Sequence, residues 1–332
     1  MSAVHSNISI FVPHIGCPNK CSFCNQRHIT GKFMAPRTKD VIKAVNTAVE
    51  SKNYNPETTE IAFFGGSFTA INRGYMLELL EVASDFVKKG VVSGIRISTR
   101  PDAIDDEILT LLKEHHVTAI ELGAQSLNDR VLRINNRGHK ISDVYNASAL
   151  IKEYGFELGL QIMTGLFGDN DQSAIKTAKR VIEIAPKTVR IYPTIVLKDT
   201  DLAALYTDKI YTPQTLDSAV VLASKLYTMF TDAGIKVIRL GLHSIENDAY
   251  IAGPWHPAFS ELCQSQIMLN SALKVLNVQG DYIIYVDKCD VSKMIGQKKS
   301  NLIFLKSKGF NCKVKEKEGL GNLKIEIERM TE

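Results

Sequence analysis

Short apolar, β-branched runs recur along this chain, and nearly every one leads into a stretch whose apolar residues return at every third or fourth position. Ile8, Ile10, Phe11 and Val12 form the first run, ended by Pro13, and read as a buried strand. Residues 38–52 place Val41, Ala44, Val45, Ala48 and Val49 at helical spacing, with Thr38 as the expected N-cap. The alternation continues with a strand at 59–64 running into Gly65-Gly66-Ser67-Phe68, then a helix at 75–89. Strands at 95–99, 117–122, 158–163 and 189–196 are separated by helical patterns at 104–115, 131–134 with 144–154, and 174–184. Strands this apolar, each followed by a helix, predict parallel β/α units with both sheet faces covered. About six units are counted, two fewer than a closed eight-stranded barrel needs. The expected fold class is therefore α/β, an incomplete (β/α)6 barrel.

After residue 200 the pattern changes. Residues 212–233 read as a long helix, 235–240 as a strand, 253–257 as a turn and 259–276 as a second long helix. Beyond residue 280 come a strand (282–286), helical spacing over 291–306 broken at Gly296, and an expected strand pair at 313–315 and 323–327. The chain thus divides at 1–200, 201–279 and 280–332. The order of elements in the last segment resembles a small α+β KH-like module, whose GXXG loop clamps nucleic-acid backbone. Here Lys299 stands where the second glycine would be. Between Val291 and Lys315 there are seven lysines and no acidic residue. Phosphate contacts are expected from Lys293, Lys298, Lys299, Lys306 and Lys308 around Gly296; the alternative is a solvated lysine face on a domain that caps the barrel.

Composition narrows the class. With 332 residues and 45% hydrophobic content the chain can bury a large core, and its net charge of +4 tolerates a polyanionic partner without requiring one. Six cysteines are present, three in one loop and three (Cys263, Cys289, Cys312) far apart, which is no disulfide framework and suits a reducing compartment. No signal-peptide pattern and no run of about 20 apolar residues is seen, so a soluble, cytoplasmic protein without a membrane span is expected.

The chemistry gathers behind the strands. Cys17, Cys21 and Cys24 follow the first strand as Cys-x3-Cys-x2-Cys. Three thiolates on one loop make a metal site. It is either zinc, with His14 or His28 as fourth ligand, or a [4Fe–4S] cluster with one iron left open to a small molecule. Polar residues follow each later strand: Gly65 to Ser67, then Ser98, Thr99, Arg100 and Asp102, then Glu121, Gln125 and Ser126, then Gln161 with Met163 to Gly165, and last Tyr192 and Lys198. Clustered at the C-terminal ends of parallel strands, they outline a pocket. Cys263, Cys289 and Cys312 have no ligand spacing for a second cluster, which argues against a methylthiotransferase. They read as ordinary thiols, any one of which could still be catalytic.

The cysteine spacing resembles the signature of the radical S-adenosylmethionine (SAM) superfamily, and FFGGSF resembles its GGE motif. STRPD, ELGAQSLNDRVLRINNRGH, LGLQIMTGLFGD and VRIYPTIVLKDTDLAALY resemble the branch that includes the catalytic subunit of Elongator and, more distantly, oxygen-independent coproporphyrinogen oxidases. The resemblance implies a [4Fe–4S] cluster on Cys17, Cys21 and Cys24, whose open iron chelates SAM. It places Phe23 beside the adenine, Gly65, Gly66 and Ser67 at the methionine amino group, and Ser98 and Arg100 in the SAM pocket. Glu121 and Gln125 fall nearer the ribose or carboxylate, and Gln161 near the adenine. Ser67 departs from the acidic residue of the general motif, and the acetyltransferase domain of the Elongator subunit is not seen. Fold and SAM use carry over, whereas acetyl-dependent chemistry does not. The expected substrate is tRNA or rRNA, with flavodoxin or ferredoxin as electron donor. The competing expectations are hydrogen abstraction from a porphyrin-like small molecule and a non-catalytic zinc-containing RNA-binding protein.

Overall fold

The computed structural model describes residues 5–12, 21–25, 35–242 and 248–330. Cys17, His14 and His28 lie outside the described residues. β1 (Ser6–Val12) is followed by α1 (Thr38–Val49), β2 (Thr59–Gly65), α2 (Arg73–Lys88), β3 (Gly94–Thr99), α3 (Asp106–Glu114), β4 (Val117–Gln125), α4 (Asp129–Ile134), α5 (Ile141–Glu153), β5 (Glu157–Thr164), α6 (Asp171–Ile184) and β6 (Thr188–Pro193). The apolar repeat dictates the packing. Val41 and Val45 of α1, and Met76, Leu79, Leu80 and Ala83 of α2, are buried, while every residue of β3 is. Asn72, Asp105 and Asn170 cap the helices that follow them, each accepting from a backbone N–H three residues on. Thr38 is not the cap its sequence position suggests. The cap residue is Arg37, whose backbone N–H donates to Asp40 Oδ2 at 2.8 Å, and the Thr38 hydroxyl bonds Glu78 instead.

After β6 the chain forms β7 (Val196–Leu197), α7 (Asp201–Thr207), α8 (Leu216–Asp232), β8 (Lys236–Leu240), β9 (Tyr250–Ala252) and α9 (Phe259–Val275). β8 pairs parallel with β6, so the parallel sheet has seven strands in the order β1-β2-β3-β4-β5-β6-β8. The six units read from the sequence are all present, and the extension supplies a seventh strand. The single strand expected over 189–196 is two. Pro193, which has no N–H to offer a ladder, ends β6, and Val196–Leu197 pairs antiparallel with β9. β1 and β8 are the outer strands, so the sheet is a half-barrel whose concave face opens at the side.

The C-terminal segment comprises β10 (Gly280–Val286), α10 (Val291–Ile295), α11 (Ser300–Ser307), β11 (Phe310–Glu316) and β12 (Ile325–Arg329). β11 and β12 do not pair with each other as expected. β10 lies between them, parallel to β11 and antiparallel to β12. Tyr282, Ile284 and Val286 explain the order, because they are buried against Met268, Leu269 and Met294, and the most apolar strand takes the centre. Among the described residues no helix is long and apolar enough to cross a membrane.

Candidate active site

Ser22, among the described residues of the cysteine loop, is held by the connection after β4 and by α7. Ser22 N donates to the Asn135 carbonyl at 3.1 Å and Ser22 Oγ to Asn135 Oδ1 at 2.7 Å, while Leu202 N donates to the Ser22 carbonyl at 2.8 Å. Arg137, buried at 7% exposure, donates from Nη1 to Cys21 Sγ at 3.2 Å and from Nη2 to the Gly123 carbonyl at 2.6 Å. Phe23 packs among Val196, Leu202 and Tyr211. Cys21 is buried and Cys24 partly exposed.

Above the sheet lies a cavity of about 1110 Å³ running along the concave face between the two outer strands. Of the residues expected at the site, Phe23, Cys24, Gly65, Ser98, Gln125, Gln161, Met163 and Tyr192 line it. Gly65 has φ +118°, and a Cβ there would lie 2.3 Å from the Val12 carbonyl, so only glycine lets β1 and β2 meet at this rim. Gln125 has φ +62°, an uncommon conformation for a side chain of this size, and its Oε1 is buried with no hydrogen-bond partner among the described residues.

Other expected residues are engaged elsewhere. Ser67 Oγ bonds Thr99 Oγ1 at 2.8 Å and accepts from Arg100 N at 3.2 Å, stitching β2 to β3. The Arg100 guanidinium reaches Asp102 at 2.8 and 2.6 Å and the Arg137 carbonyl at 2.9 Å, and the residue does not line the cavity. Glu121, only 1% exposed, accepts from Arg190 Nε at 2.5 Å and Nη2 at 2.8 Å, and from Gln161 Nε2 at 3.0 Å. It belongs to a ladder across the concave face: Arg96 pairs with Glu60 at 2.8 Å, with Glu157 at 2.9 Å and with Glu121 at 3.6 Å. Burial raises the Glu60 carboxyl, but a hydrogen bond from His5 and the Arg96 charge outweigh it and hold the pKa at about 2. Burial opposes the Arg190 charge and Glu121 restores it, so Arg190 stays charged.

The ladder was not singled out from the sequence. Its signal was present, because Arg96 and Arg190 interrupt runs of otherwise buried apolar residues, and fully buried arginines occur only when paired. Arg137 carried no comparable signal.

His139 stands beside Arg137 and is 3% exposed, with Nε2 3.2 Å from the Ala124 carbonyl. Burial, and then the Arg137 charge, bring its pKa down to about 4 from 6.5. A histidine kept neutral in the fold but protonated in the unfolded chain contributes its full stability above pH 6.5 and loses it as pH falls toward 4. Unfolding free energies from urea titrations across that interval are therefore expected to fall for the wild type by up to about 3 kcal/mol more than for His139→Gln. The carboxylate contribution of Glu60 appears separately, below pH 4.5.

A sequence model of the radical SAM superfamily matches residues 11–181, and one of the radical SAM C-terminal domain matches 186–268. A tRNA uridine(34) acetyltransferase of Dehalococcoides mccartyi is 24% identical over 240 residues, 62% of this chain and 52% of that protein. An uncharacterized protein of Methanocaldococcus jannaschii is 30% identical over 204 residues, 58% of this chain and 62% of that one. The chain thus spans between half and two thirds of the length of these curated relatives. The archaeal Elp3 of Methanocaldococcus infernus, lacking its N-terminus, superposes with a TM-score of 0.66 at 18% identity, over 84% of this chain and 66% of that one; the likeness is one of fold.

The residues in place fit the cofactors of that family. Cys24 and Gly65 both line the cavity, Gly65 offering backbone bare of side chain, and the buried Gln125 oxygen offers an acceptor to a ligand's N–H or O–H. The chain belongs to the radical SAM superfamily, in the branch resembling the catalytic subunit of Elongator, and its cofactors are a [4Fe–4S] cluster and S-adenosylmethionine.

Proposed function

We propose that the protein is a radical SAM enzyme that modifies a nucleoside in tRNA or rRNA. When bound, the cluster and SAM supply a 5′-deoxyadenosyl radical able to abstract hydrogen from an unactivated carbon. Cys17, Cys21 and Cys24 hold the cluster. Phe23, Gly65, Ser98, Gln125 and Gln161 face SAM, with Glu121 orienting Gln161 and Arg100 bracing the turn that carries Arg137. The electron comes from a flavodoxin or ferredoxin, and reduced thiols with an RNA substrate suit a cytoplasmic site of action.

The observation that carries the RNA substrate is the loop between α10 and α11. Lys298 and Lys299 are both exposed and both left-handed, at φ 52° and 63°, a costly conformation for lysine that brings two charges together at the tip. Gly296 makes the loop possible, since its φ of +78° disfavours any side chain and a Cβ there would lie 2.9 Å from the Asn301 backbone nitrogen. Lys306 and Lys308 are exposed on the same helix and just after it. Lys293 does not join them, being paired at 2.6 Å with the fully buried Asp290.

If these lysines meet phosphates, affinity for structured RNA falls steeply with salt. Reversing Lys298 and Lys299 to Asp is expected to weaken binding and to lower the slope of log K against log salt by about 0.7–0.9 for each lost contact. Iron content and substrate-free SAM cleavage remain unchanged in that variant. Wild-type protein that binds RNA no better than an unrelated protein of similar charge would remove the RNA substrate and leave hydrogen abstraction from a small molecule in the cavity.

A further inference from the structure

The cavity, the ion ladder and the lysine loop are absorbed by the function above, but the contact between Arg137 and Cys21 is not. Resting on the assignment of Cys21 as a cluster ligand, we infer that Arg137 sets the cluster's reduction potential through the Cys21 sulfur. The guanidinium lies 3.2 Å from Sγ by Nη1 and is fixed in place by Nη2 on the Gly123 carbonyl. Its own backbone carbonyl is anchored by Arg100, so the side chain is held from two sides. Nε is also buried, with no hydrogen-bond partner among the described residues, which leaves a further N–H of the same cation beside the cysteine loop.

The position is costly unless it meets negative charge, since a buried cation needs an anionic partner. No carboxylate is paired with Arg137 among the described residues; Asp102 is taken by Arg100, and the group Arg137 meets is a sulfur. A thiolate ligand provides that charge. Hydrogen bonds to ligand sulfurs withdraw electron density, and a nearby cation stabilises the form of the cluster that carries one more electron. Arg137 therefore raises the potential and brings the reduced state within reach of a biological donor. Ser22 holds the same loop without touching sulfur, through Asn135, and separates anchoring from tuning.

The test is an equilibrium redox titration of the reconstituted protein with dithionite, followed by the electron paramagnetic resonance signal of the reduced cluster. Arg137→Gln is expected to lower the ratio of reduced to oxidised cluster at a fixed potential about tenfold, equivalent to about 59 mV for one electron. Arg137→Lys, which keeps the charge, should recover most of that ratio, and Ser22→Ala should leave it at the wild-type value. An Arg137→Gln ratio equal to wild type, or one matched by Ser22→Ala, overturns the inference. If Arg137→Gln holds no iron while Arg137→Lys does, the Arg137→Lys protein carries the test: a ratio close to wild type upholds the inference, and one lowered tenfold despite the retained charge overturns it. Loss of iron in both marks a mere clamp and overturns it. Iron retained in Cys21→Ala would instead remove the ligand assignment beneath it.

Discussion

Changing Cys21 or Cys24 to Ala is expected to take the anaerobically reconstituted protein from about four irons per chain to nearly none. The magnitude follows from the ligand count. A site with only three protein ligands keeps no stable hold once one is gone, whereas a four-ligand site can survive in part. The loss should be local, because Ser22 stays bonded to Asn135 and Leu202 whatever occupies position 21. Neither Cys263 nor Cys312 can substitute. Burial holds Cys263 at about 12 and Cys312 at about 11, so neither is a thiolate at neutral pH. Cys263→Ala and Cys312→Ala accordingly keep the full iron content. Iron analysis, the visible absorbance of the cluster and 5′-deoxyadenosine release should fall together in the loop variants. A colourless wild-type protein holding one zinc per chain would contradict all of this.

Glu121→Ala is expected to destabilise the fold by about 3–5 kcal/mol, more than any surface change. Glu121 carries both hydrogen bonds of the Arg190 fork and faces Arg96, and all three are nearly inaccessible to solvent. Removing the carboxylate strands one guanidinium and weakens the setting of a second. The open cavity alongside lets water reach Arg190, which places the effect toward the lower end of that range. Gln161 loses an acceptor at the same time, so SAM affinity should drop as well. Glu121→Leu combined with Arg190→Met should recover much of the stability, because an absent pair costs less than half of one. Urea midpoints of the three proteins decide it. A Glu121→Ala variant within about 1 kcal/mol of wild type would mean that the ladder is not the support it appears from its burial to be.

Much of this was legible in the residues alone. The type and order of the strands followed from short continuous apolar runs giving way to apolar residues at every third or fourth position, because a parallel strand covered on both faces and an amphipathic helix require those two patterns. The cysteine loop was legible as a metal site because ligand spacing is a local property; Gly65 reads as room for a ligand, whereas the atom a Cβ would meet there is the Val12 carbonyl of β1. Tertiary structure alone decided the rest. Whether residues 236–240 sit in the main sheet depends on α8 carrying them back to β6, which no local pattern encodes. The order of the C-terminal sheet depends on which strand finds the apolar face of α9. Ser67 and Arg100 were expected at the SAM pocket from their place after a strand; Ser67 bonds Thr99 at the next strand end, and Arg100 pairs with Asp102 two residues on and with the Arg137 carbonyl. The Arg137–Cys21 contact joins residues 116 positions apart. Sequence spacing specifies periodicity and short loops. Which charges meet across a sheet is set only when the strands are side by side.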